Sequence, residues 1–312
     1  MDARRIGSLE VSVVGLGCNN FGGRLDLAAT KAVVNAALDA GITFLDTADV
    51  YGGTKSEEFL GRILAGRRDR VTIATKFGMA LDDERKGAKP AYVKRACEDS
   101  LRRLKTDRID LYYLHRPDPE TPIADTLGAL DDLVRGGKVR EIGCSLFTAA
   151  QLREARAAAG TGARFAAVQN EYSLLVREPE REVLAECGRL GLAFVPYYPL
   201  ASGLLTGKYR RGQPAPKGTR LAINPGWNER FLTDPNVARA ESLAAFAESR
   251  GHTLLELAFS WLLRHRVVAS VIAGATSPEQ VRANVAAGSW KLTGEDVARV
   301  DAIAPLAQGG AK

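Results

Sequence analysis

Apolar residues along the chain gather into short continuous runs, separated by stretches in which they recur every three or four positions. The run Ile42-Thr43-Phe44-Leu45, bounded by Gly41, predicts a strand buried on both faces, and it ends on a carboxylate, Asp46. The pattern repeats. VTIATK ends at Lys76, IDLYYLH at His115, VREIGCS at Ser145, FAAVQ at Gln169 and LAFVPY at Tyr197. VVGLG before the series, ending at Gly17, and VVASVIAG after it, ending near Gly274, bring the expected strands to eight. The helical period predicts helices over about 28–40, 56–64, 92–104, 123–134, 151–159 and 181–190. Residues 4–13 read as a short β-hairpin turning at Gly7-Ser8.

Strands buried on both faces and alternating with helices imply a parallel sheet covered by helices. Eight such units over roughly 250 residues match a (β/α)8 TIM barrel, with the N-terminal hairpin and extra C-terminal helices added to it. An open doubly wound sheet would carry a glycine fingerprint after its first strand. Gly15-Leu16-Gly17-Cys18-Asn19-Asn20 fails that pattern at its sixth position. Residues 202–230 break the rhythm as a long Gly/Pro-rich basic connection without expected structure of its own. Helices beyond the barrel count are expected at about 236–250 and 294–304, and residues 308–312 read as a frayed end. No composition shift divides the chain, so 1–312 reads as a single barrel domain.

Composition changes this picture little. A net charge of +6 is dispersed, with no run of five or six like charges, which argues against a nucleic-acid footprint. The four cysteines form no CxxC pair and suggest neither a zinc site nor a disulfide framework. With no apolar leader and no 18-residue apolar run, the expectation is a cytoplasmic protein that does not engage membranes. No heptad marks an oligomer interface.

Candidate chemistry lies at the strand ends, because the carboxyl ends of barrel strands open onto one face. Asp46, Lys76, His115, Ser145, Gln169 and Tyr197 should share that rim, with Tyr51 above it on the outgoing loop. A phenol has an ordinary pKa of about 10; a neighbouring ammonium lowers it, and a carboxylate holds that ammonium charged. Tyr51, Lys76 and Asp46 supply those roles, and His115 adds a group able to orient a carbonyl or share its proton. No nucleophile stands beside a base, and no ligand cluster suits a metal. Polarising a carbonyl in this way suits hydride addition, for which the hydride must come from a cofactor. SGLLTGKY lacks the glycine spacing and the hydroxyl residue of a P-loop.

Seven segments together carry a family resemblance. They are GCNNFGG (17–23), LDTADVYG (45–52), TKFG (75–78), LHRPDP (114–119), QNEYS (169–173), PYYPLASGLLTGKY (196–209) and AGATSPEQVRANV (273–285). The chain resembles the aldo-keto reductase superfamily, in its bacterial branch related to potassium-channel β subunits. The resemblance implies a barrel enzyme with the tetrad Asp46, Tyr51, Lys76 and His115, Tyr51 being the general acid for carbonyl reduction. It implies that Ser145 and Gln169 meet the nicotinamide carboxamide of a cofactor, that Tyr197 stacks under the nicotinamide ring, and that Gly17 is a further cofactor-binding residue. Pro199, Leu200, Ser202, Gly203 and Leu204 would wrap its pyrophosphate, Lys208 would reach a phosphate, and Gly274, Thr276, Gln280 and Asn284 would line its adenosine end. Leu146 stands where many relatives carry Asn. The basic loop, through Lys208 and Arg220, favours NADP(H), with NAD(H) as the alternative. Phe21, Phe77 and Trp227, and Arg116 beside His115, are candidates for the pocket of a small carbonyl substrate. Two other readings use the same residues: an NAD-dependent sugar or pyridoxal dehydrogenase, and a cofactor-binding regulatory subunit. The latter relatives carry Asn in place of His115.

Overall fold

The computed structural model describes residues 1–306; the expected frayed end at 308–312 lies outside the described residues. The chain opens with an antiparallel hairpin, β1 (Ala3–Ile6) and β2 (Leu9–Ser12), turned at Gly7. Strand–helix alternation follows: β3 (Val14–Gly17), α1 (Leu27–Asp39), β4 (Phe44–Asp46), α2 (Lys55–Ile63), β5 (Thr72–Phe77) and α3 (Pro90–Leu104). It continues with β6 (Ile109–Leu114), α4 (Ile123–Arg135), β7 (Val139–Ser145), α5 (Ala149–Ala158), β8 (Phe165–Glu171), α6 (Val183–Leu190) and β9 (Ala193–Tyr197). Then come α7 (Arg220–Ile223), α8 (Pro225–Phe231), α9 (Asp234–Ser249), α10 (Leu254–Leu263), β10 (Val271–Gly274), α11 (Pro278–Ala286) and α12 (Gly294–Ile303).

Eight strands pair in parallel in the order β10-β3-β4-β5-β6-β7-β8-β9. A parallel bridge between Phe194 and Val268 brings β9 against the segment leading into β10 and closes the barrel. Helices cover the outside, and their starts are set by side chains. Asp26 accepts from the Ala29 N–H at 2.8 Å to begin α1, while reciprocal Thr–Gln, Thr–Glu and Thr–Asp capping boxes start α5, α10 and α12. Gly41, at φ +84°, ends the α1 turn as the sequence predicts.

The barrel interior is filled by Phe44, Ala74, Leu111, Tyr113, Ala167, Val195 and Ile272, and the hairpin adds Ile6, Leu9 and Val11 to the same cluster. The hairpin is therefore a plug. Arg4 fastens it by donating to the carbonyls of Leu263, at 2.7 Å, and of His265, at 2.9 Å, and to that of Val268. Arg4→Ala leaves these part-buried carbonyls without that donor and is expected to cost about 2 kcal/mol. A lowered urea midpoint with an unchanged slope is the expected reading; an unmoved midpoint would show the plug held by its apolar face alone.

Two sequence expectations need correction. Residues 202–230 are not structureless: they hold a 3₁₀ turn (Ala201–Thr206) and the short helices α7 and α8. Asn224 accepts from the Trp227 N–H to start α8, and Leu221 and Phe231 are buried beneath. Only Val271–Gly274 of the expected last strand joins the ladder. The barrel helix before it, α10, is apolar on nearly every side and gave no period to read.

Candidate active site

The carboxyl ends of the strands surround a cavity of about 790 Å³. Gly17, Asp46, His115, Ser145, Gln169, Tyr197 and Gly274 line it from or just beyond β3, β4, β6, β7, β8, β9 and β10, and Tyr51 enters from the β4–α2 loop. Lys76 is fully buried behind this surface, with its Nζ 5.1 Å from the Tyr51 ring centroid. The lysine donates to Asp46 Oδ1 at 2.5 Å and to the Thr47 carbonyl at 2.7 Å. The other Asp46 oxygen accepts from the Gln169 side-chain amide at 2.8 Å, and Ser145 Oγ donates to the Gln169 carbonyl at 2.8 Å. Four strand ends are thus joined in one hydrogen-bonded chain. The His115 ring meets Tyr51 edge-on, with centroids 5.9 Å apart.

Burial decides the protonation states. It pushes the Tyr51 phenol up to about 12; the Lys76 ammonium pulls down against it and Asp46 pushes up again. The sequence expectation of a depressed Tyr51 pKa is therefore wrong in sign, because desolvation of the phenolate outweighs the neighbouring cation. Burial also works against the Lys76 charge, but Asp46 and Tyr51 outweigh it and the lysine pKa rises. His115 is driven down to about 3 by burial, with Lys76 and Arg116 adding to the effect. Near neutral pH the site holds a neutral phenol, a neutral imidazole and a buried ammonium–carboxylate pair.

Comparison with known proteins bears on the same geometry. Residues 13–305 match the model of the Aldo/keto reductase family. This chain belongs to that family. It is 35% identical over 305 residues to a probable aldo-keto reductase 1 of Glycine max, covering 95% of this chain and 86% of the relative. It is also similar to the structure of a glycerol dehydrogenase of Gluconobacter oxydans, at a TM-score of 0.84 and 32% identity, covering 97% of this chain and 94% of the other. The aldo/keto reductase described here is thus an oxidoreductase on a TIM barrel, of a family that uses nicotinamide cofactors.

The residues of this aldo/keto reductase fit such a cofactor. After β9 the backbone turns left-handed at Tyr198, Ala201, Ser202 and Gly203, an arrangement in which successive amides form an anion-binding concavity. The Ser202 hydroxyl is buried there without a hydrogen-bond partner. Arg24, Lys208 and Arg220 line the same cavity, and among the described residues no carboxylate pairs with any of them. Burial foremost, and then the neighbouring Arg24 and Arg220 charges, lower the Lys208 pKa, so the three cations crowd one another. Arg220 donates to Asn20 Oδ1 at 2.8 Å and to Asn19 Oδ1 at 3.3 Å, and Arg24 donates to the Gly218 carbonyl at 2.9 Å. Pro199, Leu200, Thr276, Gln280 and Asn284 complete that side, with Gln280 accepting from the Thr276 N–H at 2.8 Å.

Five candidates fall elsewhere. Leu204 is buried in the hydrophobic core rather than the cavity wall. Phe21 and Phe77 are fully buried, Phe77 lying 4.7 Å from Tyr112 between sheet and helices. Trp227 stands behind the wall, packed edge-on against Tyr198 at 4.7 Å and stacked on Phe231. Arg116 is exposed away from the cavity lining. Asn19, Asn20, Arg24, Met79, Leu146 and Tyr198 line the cavity and were not assigned to it from sequence. Asn19, Met79, Leu146 and Tyr198 lie within two residues of a strand end and Asn20 within three, which is the signal that could have found them.

Proposed function

We propose that this chain is an NADPH-preferring reductase of aldehydes and ketones, acting as a single catalytic barrel with Tyr51 as proton donor. The observation that carries the reading is a neutral phenol facing the cavity with the Lys76–Asp46 ion pair buried at its back. When bound, a reduced nicotinamide supplies the hydride. Tyr51 holds its proton across the physiological range and releases it only as negative charge develops on a substrate oxygen, which the Lys76 ammonium then favours. His115, neutral and beside Tyr51, orients the same oxygen. Ser145, Gln169 and Tyr197 would hold the nicotinamide end, and the left-handed turn and the basic cluster would hold the phosphates. Val50, Met79, Leu146 and Tyr198 make the adjoining wall largely apolar, which suits aliphatic or aromatic carbonyl compounds.

The resemblance to a glycerol dehydrogenase favours a second reading, alcohol oxidation at the same residues. The high Tyr51 pKa argues for reduction, because oxidation needs the phenolate as base. Loss of NADPH and NADH absorbance with an aromatic aldehyde, measured separately, tests both the activity and the preference. Replacing Lys208 and Arg220 with Ala is expected to raise the NADPH KM at least about 10-fold more than the NADH KM, as charge-assisted contacts to a 2′-phosphate would be lost. Equal weakening would move both residues to the pyrophosphate. Consumption of neither cofactor, in either direction, would leave the regulatory reading.

A further inference from the structure

Asp49 lies on the β4–α2 loop, three residues after Asp46 and two before Tyr51. Its amide donates to the Lys76 carbonyl at 3.1 Å, so the residue is stitched to the strand that carries the catalytic lysine. Asp49 is completely buried, it does not line the cavity, and neither of its carboxyl oxygens has a hydrogen-bond partner. The groups around it come from every packed element: Glu57 from α2, Arg103 and the Tyr92 hydroxyl from α3, Lys76 from β5 and the Tyr112 hydroxyl from β6. Glu57 is itself buried and already occupied, accepting from Arg103 Nε at 2.6 Å and from Thr75 Oγ1 at 2.5 Å.

Two buried carboxyl groups therefore share one guanidinium, and that guanidinium is spent on Glu57. A second buried carboxylate with no full hydrogen bond, and only the Val50 amide near it as a donor, is costly to ionise, so Asp49 keeps its proton or the loop moves. We propose that Asp49 is a positioning residue: as a neutral acid it seats the loop that presents Tyr51, and its ionisation unseats that loop. The inference rests on Tyr51 being the proton donor. Burial foremost, and then Glu57, raise the Asp49 pKa to about 7, with Arg103, the Val50 amide and Lys76 pulling down. Tyr51 and His115 titrate far away, near 12 and near 3, so a rate change near neutrality belongs to neither. The folded chain holds a proton that the unfolded chain releases near pH 4. Stability therefore falls as pH rises from about 4 to about 7 and is level above that.

The test is the pH profile of kcat for carbonyl reduction at saturating cofactor, for the wild type and Asp49→Asn, with thermal unfolding over the same range. The wild type should lose about 10-fold in kcat between pH 6 and pH 8.5 with little change in cofactor KM, a pattern that loss of loop seating predicts. Asp49→Asn should keep its rate across that range and melt several degrees higher at pH 8. A flat wild-type profile, or the same fall in the Asn variant, overturns the proposal. NMR of carboxyl-labelled aspartate in the wild type reads the group without a variant: one Asp titrating near 7 supports the assignment, and none above pH 5.5 refutes it. If Tyr51→Phe keeps its turnover, the acid assignment fails, and the NMR titration and melting curves still judge Asp49.

Discussion

Tyr51→Phe is expected to lose about 10²- to 10⁴-fold in kcat, the range for removing a positioned general acid. The substitution deletes one oxygen from a ring held by its edge contact with His115 and by the Lys76 ammonium. The ring shape is kept and no carboxylate loses a partner, so folding should be little changed. Cofactor affinity, followed by quenching of protein fluorescence, should stay within about 3-fold, because the phosphate-side cations lie elsewhere in the cavity. A kcat within about 3-fold of wild type would remove Tyr51 from the chemistry.

Lys76→Met should damage both activity and stability. It strips Asp46 of its buried cation and leaves only the Gln169 amide on that carboxylate. Breaking such a pair from one side costs about 3–5 kcal/mol, through the charge left uncompensated. Adding Asp46→Asn should restore most of the urea midpoint without restoring turnover. If the single and double variants unfold at the same midpoint, the buried pair is not the source of the loss.

The rim was legible because a barrel ties chemistry to chain position. Each inner strand is apolar on both faces, so the first polar group with reactive chemistry marks where the strand leaves the core. Asp46, Ser145, Gln169 and Tyr197 are found on the cavity wall, where their strand ends place them. Other features depend on surroundings that a linear pattern does not carry. The sign of the Tyr51 shift is set by side chains from other strands that exclude water from it. Phe21 and Phe77 look like pocket aromatics beside their motifs, yet Phe77 alternates with Lys76 and therefore faces the helices. The buried helix α10 has no polar face from which to read a period. Arg24 is an ordinary surface arginine in sequence and joins Lys208 and Arg220 only once the 217–220 segment folds across the cavity mouth.

The hairpin plug also sets an order of events during synthesis. Arg4 bonds to carbonyls 259 to 264 residues later in the chain, and β3 takes its second neighbour, β10, from residues 271–274. The hairpin, made before the barrel strands, is therefore among the last elements to be seated. Until the final barrel strand has emerged, β3 is a bare sheet edge, and the apolar face of Ile6, Leu9 and Val11 has no floor to cover. Contacts this distant along the chain make closure the slow step. The seam between β3 and β10 is where a growing barrel of this kind is open to mispairing, and where a chaperone would find it exposed.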